Sequence, residues 1–156
     1  MGTLLIAMLL ATVQPAHAEG TSPQVTLVHG KKFRKRLLGQ HRLTLQWLTE
    51  RRPDEGEVTI TNVRGAFRVK GIQEKEGDET KGLLTIEGTL TEASPKTLRL
   101  NGKVVTRVSF IRHGEPCVRE GDLEFTAVPE KKAWRLRPGA NPCDPATTDQ
   151  IDIHFR

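Results

Sequence analysis

The stretch TLRLNGKVVTRVSFIR at residues 97–112 decides the fold class of this chain. Apolar side chains recur there at every second residue: Leu98, Leu100, Val104, Val108 and Phe110. A period of two places alternate side chains on opposite faces of a β-strand and does not fit a helix, whose period is 3.6. The apolar side chains stay on even-numbered positions, a pattern that we call the apolar parity, on both sides of Asn101-Gly102. We therefore expect one long strand that bends at the glycine. A type I′ hairpin turn at Asn-Gly is the alternative.

The same alternation recurs along most of the chain, in short segments separated by turn residues. The further segments are residues 42–47, 57–61, 67–70, 84–90, 123–127, 134–136 and 151–155. Each segment has one apolar face, and short connections favour antiparallel neighbours. We therefore predict an all-β fold, a single antiparallel and mostly meander β-barrel of eight or nine strands, with a β-sandwich as the alternative.

The apolar parity also assigns the large aromatic side chains to the barrel interior. Trp47 shares its parity with Leu43 and Leu45, and Trp134 shares its parity with Leu136. We expect both tryptophans to point inward, and Phe110 to help fill the same core.

Residues 25–38 do not follow the period of two. Three interpretations of this segment remain open: a first strand, a short helix over residues 32–38 that plugs one end of the barrel, or a partly ordered arm.

The first 18 residues have the layout of a secretory signal peptide. They contain no charged side chain, are apolar from Leu4 to Val13, and end in Ala16-His17-Ala18, where small residues suit signal peptidase. The apolar run is too short to span a bilayer. We expect cleavage after Ala18 and an exported protein, periplasmic or secreted, with no stable membrane span after cleavage.

The remaining length allows one domain. About 138 residues follow the predicted cleavage site, enough for a single core. We divide the chain into a signal peptide at residues 1–18, a basic N-terminal segment at 19–38 and a β-barrel domain at 39–156. The two cysteines, Cys117 and Cys143, should be bridged in an oxidising compartment.

The main charge feature is a basic run in a chain of net charge +5. The run consists of Lys31, Lys32, Arg34, Lys35 and Arg36, five cations in six residues. Such a run attracts anionic surfaces, although short basic runs are commonly no more than a solvated face. Further cations fall on positions that we assign to the outward strand faces: Arg42, Arg68, Lys70, Arg99, Lys103, Arg107, Arg119, Arg135 and Arg137. Carboxylates lie among them, so cross-strand ion pairing is the structural alternative to an anion-binding patch.

No catalytic constellation stands out, and we expect neither an enzyme nor a bound cofactor or metal. Ser109 lacks a glycine-flanked elbow, and bridged cysteines leave no thiol nucleophile. Asp152 and His154 point the same way on the last strand, but two ligands are too few for a metal site. A nucleic-acid partner is disfavoured, because no aromatic pattern for base stacking accompanies the cations.

Two sequence motifs carry a resemblance to a known family. They are Gly-Gln-His-Arg-Leu-Thr-Leu-Gln-Trp at residues 39–47, and Trp-Arg-Leu at 134–136 followed by Asn-Pro-Cys at 141–143 and Ile-Asp-Ile at 151–153. Here the chain resembles a family of uncharacterised exported bacterial proteins, over roughly residues 39–155. The resemblance implies the domain limits and supports the cysteine pairing, but it implies no activity. A looser likeness in fold links the chain to lipocalin-like barrels.

The function expected from these observations is that of a non-catalytic binding module. Its partner would be a small apolar or amphipathic ligand held in the barrel or its mouth. The alternative is an envelope-accessory or interaction protein that docks an anionic lipid, a polysaccharide or an acidic protein through its basic face.

Overall fold

A computed structural model describes residues 24–49, 54–75 and 82–155 of the chain. The predicted signal peptide at residues 1–18 lies outside these ranges. The described elements, in chain order, are β1 (Leu27–Val28), α1 (Lys31–Leu37), β2 (Gly39–Leu45), β3 (Gly56–Val63), β4 (Ala66–Lys75), β5 (Gly82–Ala93), β6 (Thr97–Val108), β7 (Cys117–Val128), β8 (Ala133–Arg137) and β9 (Ile151–His154). The described part of the chain contains no helix long and apolar enough to cross a bilayer.

Strands β2 to β9 form a closed antiparallel barrel of eight strands. Each strand pairs with the next one along the chain, and β9 pairs back with β2 through Leu43↔Ile153 and Leu45↔Ile151. The predicted meander barrel is therefore confirmed, and the sandwich alternative is wrong. Strand β1 is the extra strand, and it pairs in parallel with the last two residues of β5.

Strand β6 runs unbroken through Asn101-Gly102, as the continuous parity predicted. Gly102 lies opposite Gly88 of β5 on one side and opposite Gly121 of β7 on the other. A Cβ atom on Gly102 would collide with the carbonyl oxygen of Glu87. The glycine row therefore lets these strands approach closely and bend, which helps the sheet to close on itself.

The barrel interior is filled by the apolar faces of the strands. Phe67 and Phe125 are the largest of the fully buried side chains. Trp134 is 2% exposed, so its predicted inward position is confirmed.

Two aromatic residues lie outside the core, against our prediction. Trp47 is 37% exposed and Phe110 is 63% exposed, and their rings stack edge to face with centroids 5.2 Å apart. Strand β2 ends at Leu45 and strand β6 ends at Val108, so both rings belong to turns in which strand parity no longer holds.

The segment at residues 25–38 combines two of its three interpretations. It forms the short strand β1 and then the helix α1, which begins one residue earlier than the predicted plug. Phe33 and Leu37 of the helix belong to the hydrophobic core, so the helix closes one end of the barrel. From residue 24 onward the segment is part of the folded domain and is not an arm.

The predicted disulfide between Cys117 and Cys143 is present, with the two Cα atoms 5.6 Å apart. It links the first residue of β7 to the long connection between β8 and β9. That connection is therefore fastened to the barrel at the end opposite to α1.

Candidate functional site

The topology gathers cations at the end of the barrel that α1 closes. In a meander, every second connection lies at the same end, and here the turns β3–β4, β5–β6 and β7–β8 surround the helix. We call the nine exposed cations of the helix and these turns the basic cap: Lys31, Lys32, Arg34, Lys35, Arg36, Arg64, Lys96, Lys131 and Lys132. The five residues predicted from the basic run are thus brought together with four others that the sequence pattern did not single out.

The cations of α1 point outward because its apolar residues face the barrel. Phe33 and Leu37 are four residues apart and share one helix face, which is buried. Gly30 directly precedes the helix with a φ of 99°, a value that favours glycine, and its carbonyl accepts a hydrogen bond from Arg34 N at 3.0 Å. At the other end, His41 Nε2 lies 2.8 Å from the Leu37 carbonyl oxygen. The helix is therefore held at its start, its end and its inner face.

The segment before the helix is also fixed to the barrel. The buried hydroxyl of Thr26 donates to the Leu90 carbonyl and accepts a hydrogen bond of 2.8 Å from Phe67 N. His29 N donates to the Ala93 carbonyl at 2.9 Å. Strand β4 pairs with β5 only as far as Leu90, so these bonds supply partners to the last residues of β5. They also attach the segment that leads into the basic cap to the barrel.

Two aromatic contacts seat the helix on the core. The Phe33 ring packs edge to face on Trp134, with centroids 5.9 Å apart. The guanidinium carbon of Arg34 lies 5.1 Å from the ring centroid of Phe67, a cation–π distance. Only this one cation of the helix is engaged by an aromatic ring among the described residues.

The turns of the basic cap contain few carboxylates, and Glu92, near the end of β5, is paired with His29. Within the described residues, none of its nine cations forms an ion pair. The described turns at this end contain one carboxylate, Glu130. The described turns at the opposite end carry the reverse balance, with one arginine, Arg112, and the carboxylates Asp54, Glu55, Glu115, Asp144 and Asp149. Among the described residues, the turns at one end are therefore mainly basic (the positive end) and those at the other mainly acidic (the negative end), with Glu55 and Asp149 of the latter paired with arginines.

The strand cations do not extend this surface as a continuous patch. Arg42 pairs with Glu55 at 2.9 Å, and Arg99 lies 3.6 Å from Glu124. Outward charges of opposite sign alternate across the sheet, for example in the register Glu87↔Lys103. These pairs on the strand faces thus favour the cross-strand alternative.

Two strand cations that the sequence analysis assigned to the outward faces are buried in ion pairs, and one of them, Arg119, is on the other face. Arg119 shares the parity of Cys117 and Phe125, which are buried, and it binds Asp149 with Nη2 at 2.9 Å from Oδ2. Arg135 does lie on an outer face, but it forms a bidentate pair with Asp152, both bonds 2.7 Å long. Both guanidinium groups are largely buried and are therefore structural.

Asp149 is the centre of a buried polar network that the sequence analysis missed. Its carboxylate accepts hydrogen bonds from Trp47 Nε1 at 3.0 Å, from Arg119 and from Asn141 Nδ2 at 2.8 Å. Asn141 Oδ1 in turn accepts from the backbone N of Cys143 at 2.8 Å. The Asn-Pro-Cys motif and the Trp of the first motif thus meet at one carboxylate, which fixes the β8–β9 connection to the barrel.

Asp152 and His154 of β9, the two possible metal ligands of the sequence analysis, are both hydrogen-bonded to other side chains. Asp152 is engaged by Arg135, and His154 Nε2 lies 2.8 Å from Thr44 Oγ1. Burial lowers the pKa of His154, and the nearby Arg42 lowers it further. Among the described residues, no three His, Cys, Asp or Glu side chains come close enough to hold a metal ion.

Two concavities of the described structure lie where a ligand could bind. A shallow groove of about 750 Å³ lies on the outer face beside the glycine row, lined by charges of both signs such as Lys70, Glu87, Lys103 and Glu120. A cavity of about 30 Å³ lies under the helix beside Phe33 and Trp134, room for about one water molecule. Neither has the size and apolar lining that a small apolar ligand needs.

Comparison with known proteins agrees with the motifs. The chain is 29% identical over 151 residues to an uncharacterised protein, PM1083, of Pasteurella multocida (strain Pm70). This alignment covers 97% of the chain and 94% of that protein. No solved structure matches the chain significantly. The model of the PM1083 family matches residues 25–155, which include the helix, the disulfide and all nine described strands. The predicted resemblance to an uncharacterised family is thereby confirmed, and the chain belongs to the PM1083 family.

Proposed function

We propose that the protein is an exported, non-catalytic binding module that docks an anionic partner through the basic cap. The observation that carries the proposal is the concentration of nine exposed cations around α1, none of which forms an ion pair within the described residues, against one carboxylate in the same turns. The proposal develops the alternative expected from the sequence, an envelope-accessory or interaction protein that docks an anionic lipid, a polysaccharide or an acidic protein through its basic face.

The size of the effect is sufficient for docking without a shaped pocket. A cation close to an anionic surface contributes about 1 kcal/mol, so half of the basic cap would give about 4.5 kcal/mol, a Kd of about 0.5 mM, and the whole cap about 9 kcal/mol, a Kd below about 1 μM, before the costs of association. The Debye length is about 8 Å at physiological salt, so this attraction weakens steeply as salt rises.

The first function of the sequence analysis, a small apolar ligand inside the barrel, receives less support. Large side chains such as Phe67, Phe125 and Trp134 occupy the interior that such a ligand would need. Export is supported by the leader-like residues 1–18 and by the disulfide, because disulfides persist in oxidising compartments.

The test is binding to immobilised dextran sulfate, a soluble polyanion, over a salt series. The cap variant carries Lys31→Gln, Lys32→Gln, Lys35→Gln and Arg36→Gln. A matched variant loses the same charge from the strand faces, through Arg68→Gln, Lys70→Gln, Lys103→Gln and Arg137→Gln. We expect the cap variant to bind at least about tenfold more weakly than the matched variant, since 1.4 kcal/mol corresponds to tenfold. Equal losses in the two variants would mean that only net charge matters and would refute the basic cap as a site.

A further inference from the structure

Exposed apolar side chains lie beside the basic cap. Val25 is 65% exposed, Leu27 is 59% exposed and Val63 is 48% exposed. All three belong to the end of the barrel closed by α1: Val25 and Leu27 lie in the segment before the helix, and Val63 is the last residue of β3. We call these three residues the apolar rim.

The apolar rim is adjacent to cations of the cap. Val25 covers Gly65, since a Cβ atom built on that glycine would lie 3.3 Å from Val25 Cγ1. Gly65 and Arg64 form the turn that follows Val63, so two of the rim residues flank an exposed arginine. Leu27 lies opposite Glu92 of β5, whose carboxylate pairs with His29, and it precedes Lys31 by four residues on the same segment.

The exposed apolar residues at the other end differ in their surroundings. Trp47 and Phe110 cover each other by ring stacking, and the turns around them carry carboxylates. At the capped end, by contrast, Val25 and Val63 lie beside Arg64, which is exposed and forms no ion pair within the described residues.

We infer that the anionic partner of the basic cap is the surface of a lipid bilayer with anionic head groups, into which the apolar rim inserts; this inference rests on the proposed function. A soluble polyanion satisfies the cations but leaves the rim in water. A bilayer satisfies both, because lysine and arginine reach the phosphates while neighbouring apolar groups enter the boundary between head groups and acyl chains. The barrel then stands on the membrane with its negative end directed away from the anionic lipids.

The experiment compares two probes and three proteins. The probes are vesicles of phosphatidylglycerol and phosphatidylcholine, measured by co-sedimentation, and soluble dextran sulfate. The rim variant carries Val25→Ser, Leu27→Ser and Val63→Ser, and a matched variant carries Ile72→Ser, Phe110→Ser and Val118→Ser at exposed apolar positions outside the cap. Circular dichroism melts verify that all three proteins are folded.

We expect the parent and the matched variant to bind the anionic vesicles equally. The rim variant should bind them at least about tenfold more weakly. All three should bind dextran sulfate alike, because the cations are unchanged. In a second measurement, Leu27→Trp should give a blue-shifted emission on anionic vesicles, whereas Ile72→Trp should not.

The outcomes separate the two proposals. Binding of dextran sulfate without binding of vesicles overturns the bilayer inference and leaves the basic cap as a site for a polysaccharide or an acidic protein. Equal vesicle binding by the rim variant and the parent overturns insertion of the rim. Failure of the parent to bind either probe overturns the proposed function itself.

Discussion

Replacing Leu37 by alanine should destabilise the whole domain, because the helix that carries the basic cap is part of the barrel core. Leu37 is 0% exposed. The substitution removes three buried carbon atoms, a transfer free energy of about 2.4 kcal/mol at ~0.8 kcal/mol each. The cavity left behind adds to this loss, so we expect the free energy of unfolding to fall by about 3 to 4 kcal/mol.

The assay is urea unfolding followed by circular dichroism, with Lys35→Ala as the matched control on the same helix. Lys35 is exposed, so its substitution should change the free energy of unfolding by less than about 0.5 kcal/mol. An unchanged m-value would show that the parent and the variant expose the same amount of surface on unfolding. If Leu37→Ala costs less than about 1 kcal/mol, the helix does not close the barrel and the reasoning for a rigid cap is wrong.

Three further predictions concern the disulfide, the buried network and a histidine. Replacing Cys117 and Cys143 by alanine should lower the free energy of unfolding by about 3.5 kcal/mol, from a closed loop of 26 residues, as measured by urea unfolding. Asp149→Asn leaves the buried guanidinium of Arg119 without a counter-charge and should cost about 3 to 5 kcal/mol in the same assay; a loss near zero would contradict the network. Because burial lowers the pKa of His154 from 6.5, the unfolded chain binds the proton more readily, and stability should fall as pH drops through about 6.5. His154→Gln should reduce that fall in a pH series of thermal melts, and an identical pH profile would contradict the burial effect.

The fold was predictable because one physical rule governs nearly the whole chain. A closed barrel with a filled interior requires an apolar side chain at every second position, and the sequence of β6 obeys that rule even through Gly102. The disulfide followed from there being two cysteines and a leader-like start. The apolar parity predicted the wrong position for Trp47 and Phe110, because alternate residues point to opposite faces only within a strand and both residues lie beyond a strand end.

The site was only half predictable, because its other half depends on topology. The five helix cations lie within six consecutive residues, but Arg64, Lys96 and Lys132 lie in separate turns. A meander places alternate turns at the same end, so a count of charges in every second turn would have found them. The partners of Arg119 depend on the path of the long β8–β9 connection, for which local sequence gives no rule.

The seam that closes the barrel determines how the domain opens. Strand β9 pairs with β2 over only four residues of each strand, and the two strands lie more than a hundred residues apart in sequence. The neighbouring strands β5 and β6 instead pair along nearly their full length across a short turn. Loop closure makes such a distant, short ladder the last to form, and together with the three-pair ladder of β8 and β9 it should be among the first to exchange its amide protons with solvent. The barrel should thus unzip from this seam into a curled sheet whose two newly exposed edges can recruit a second copy of the chain.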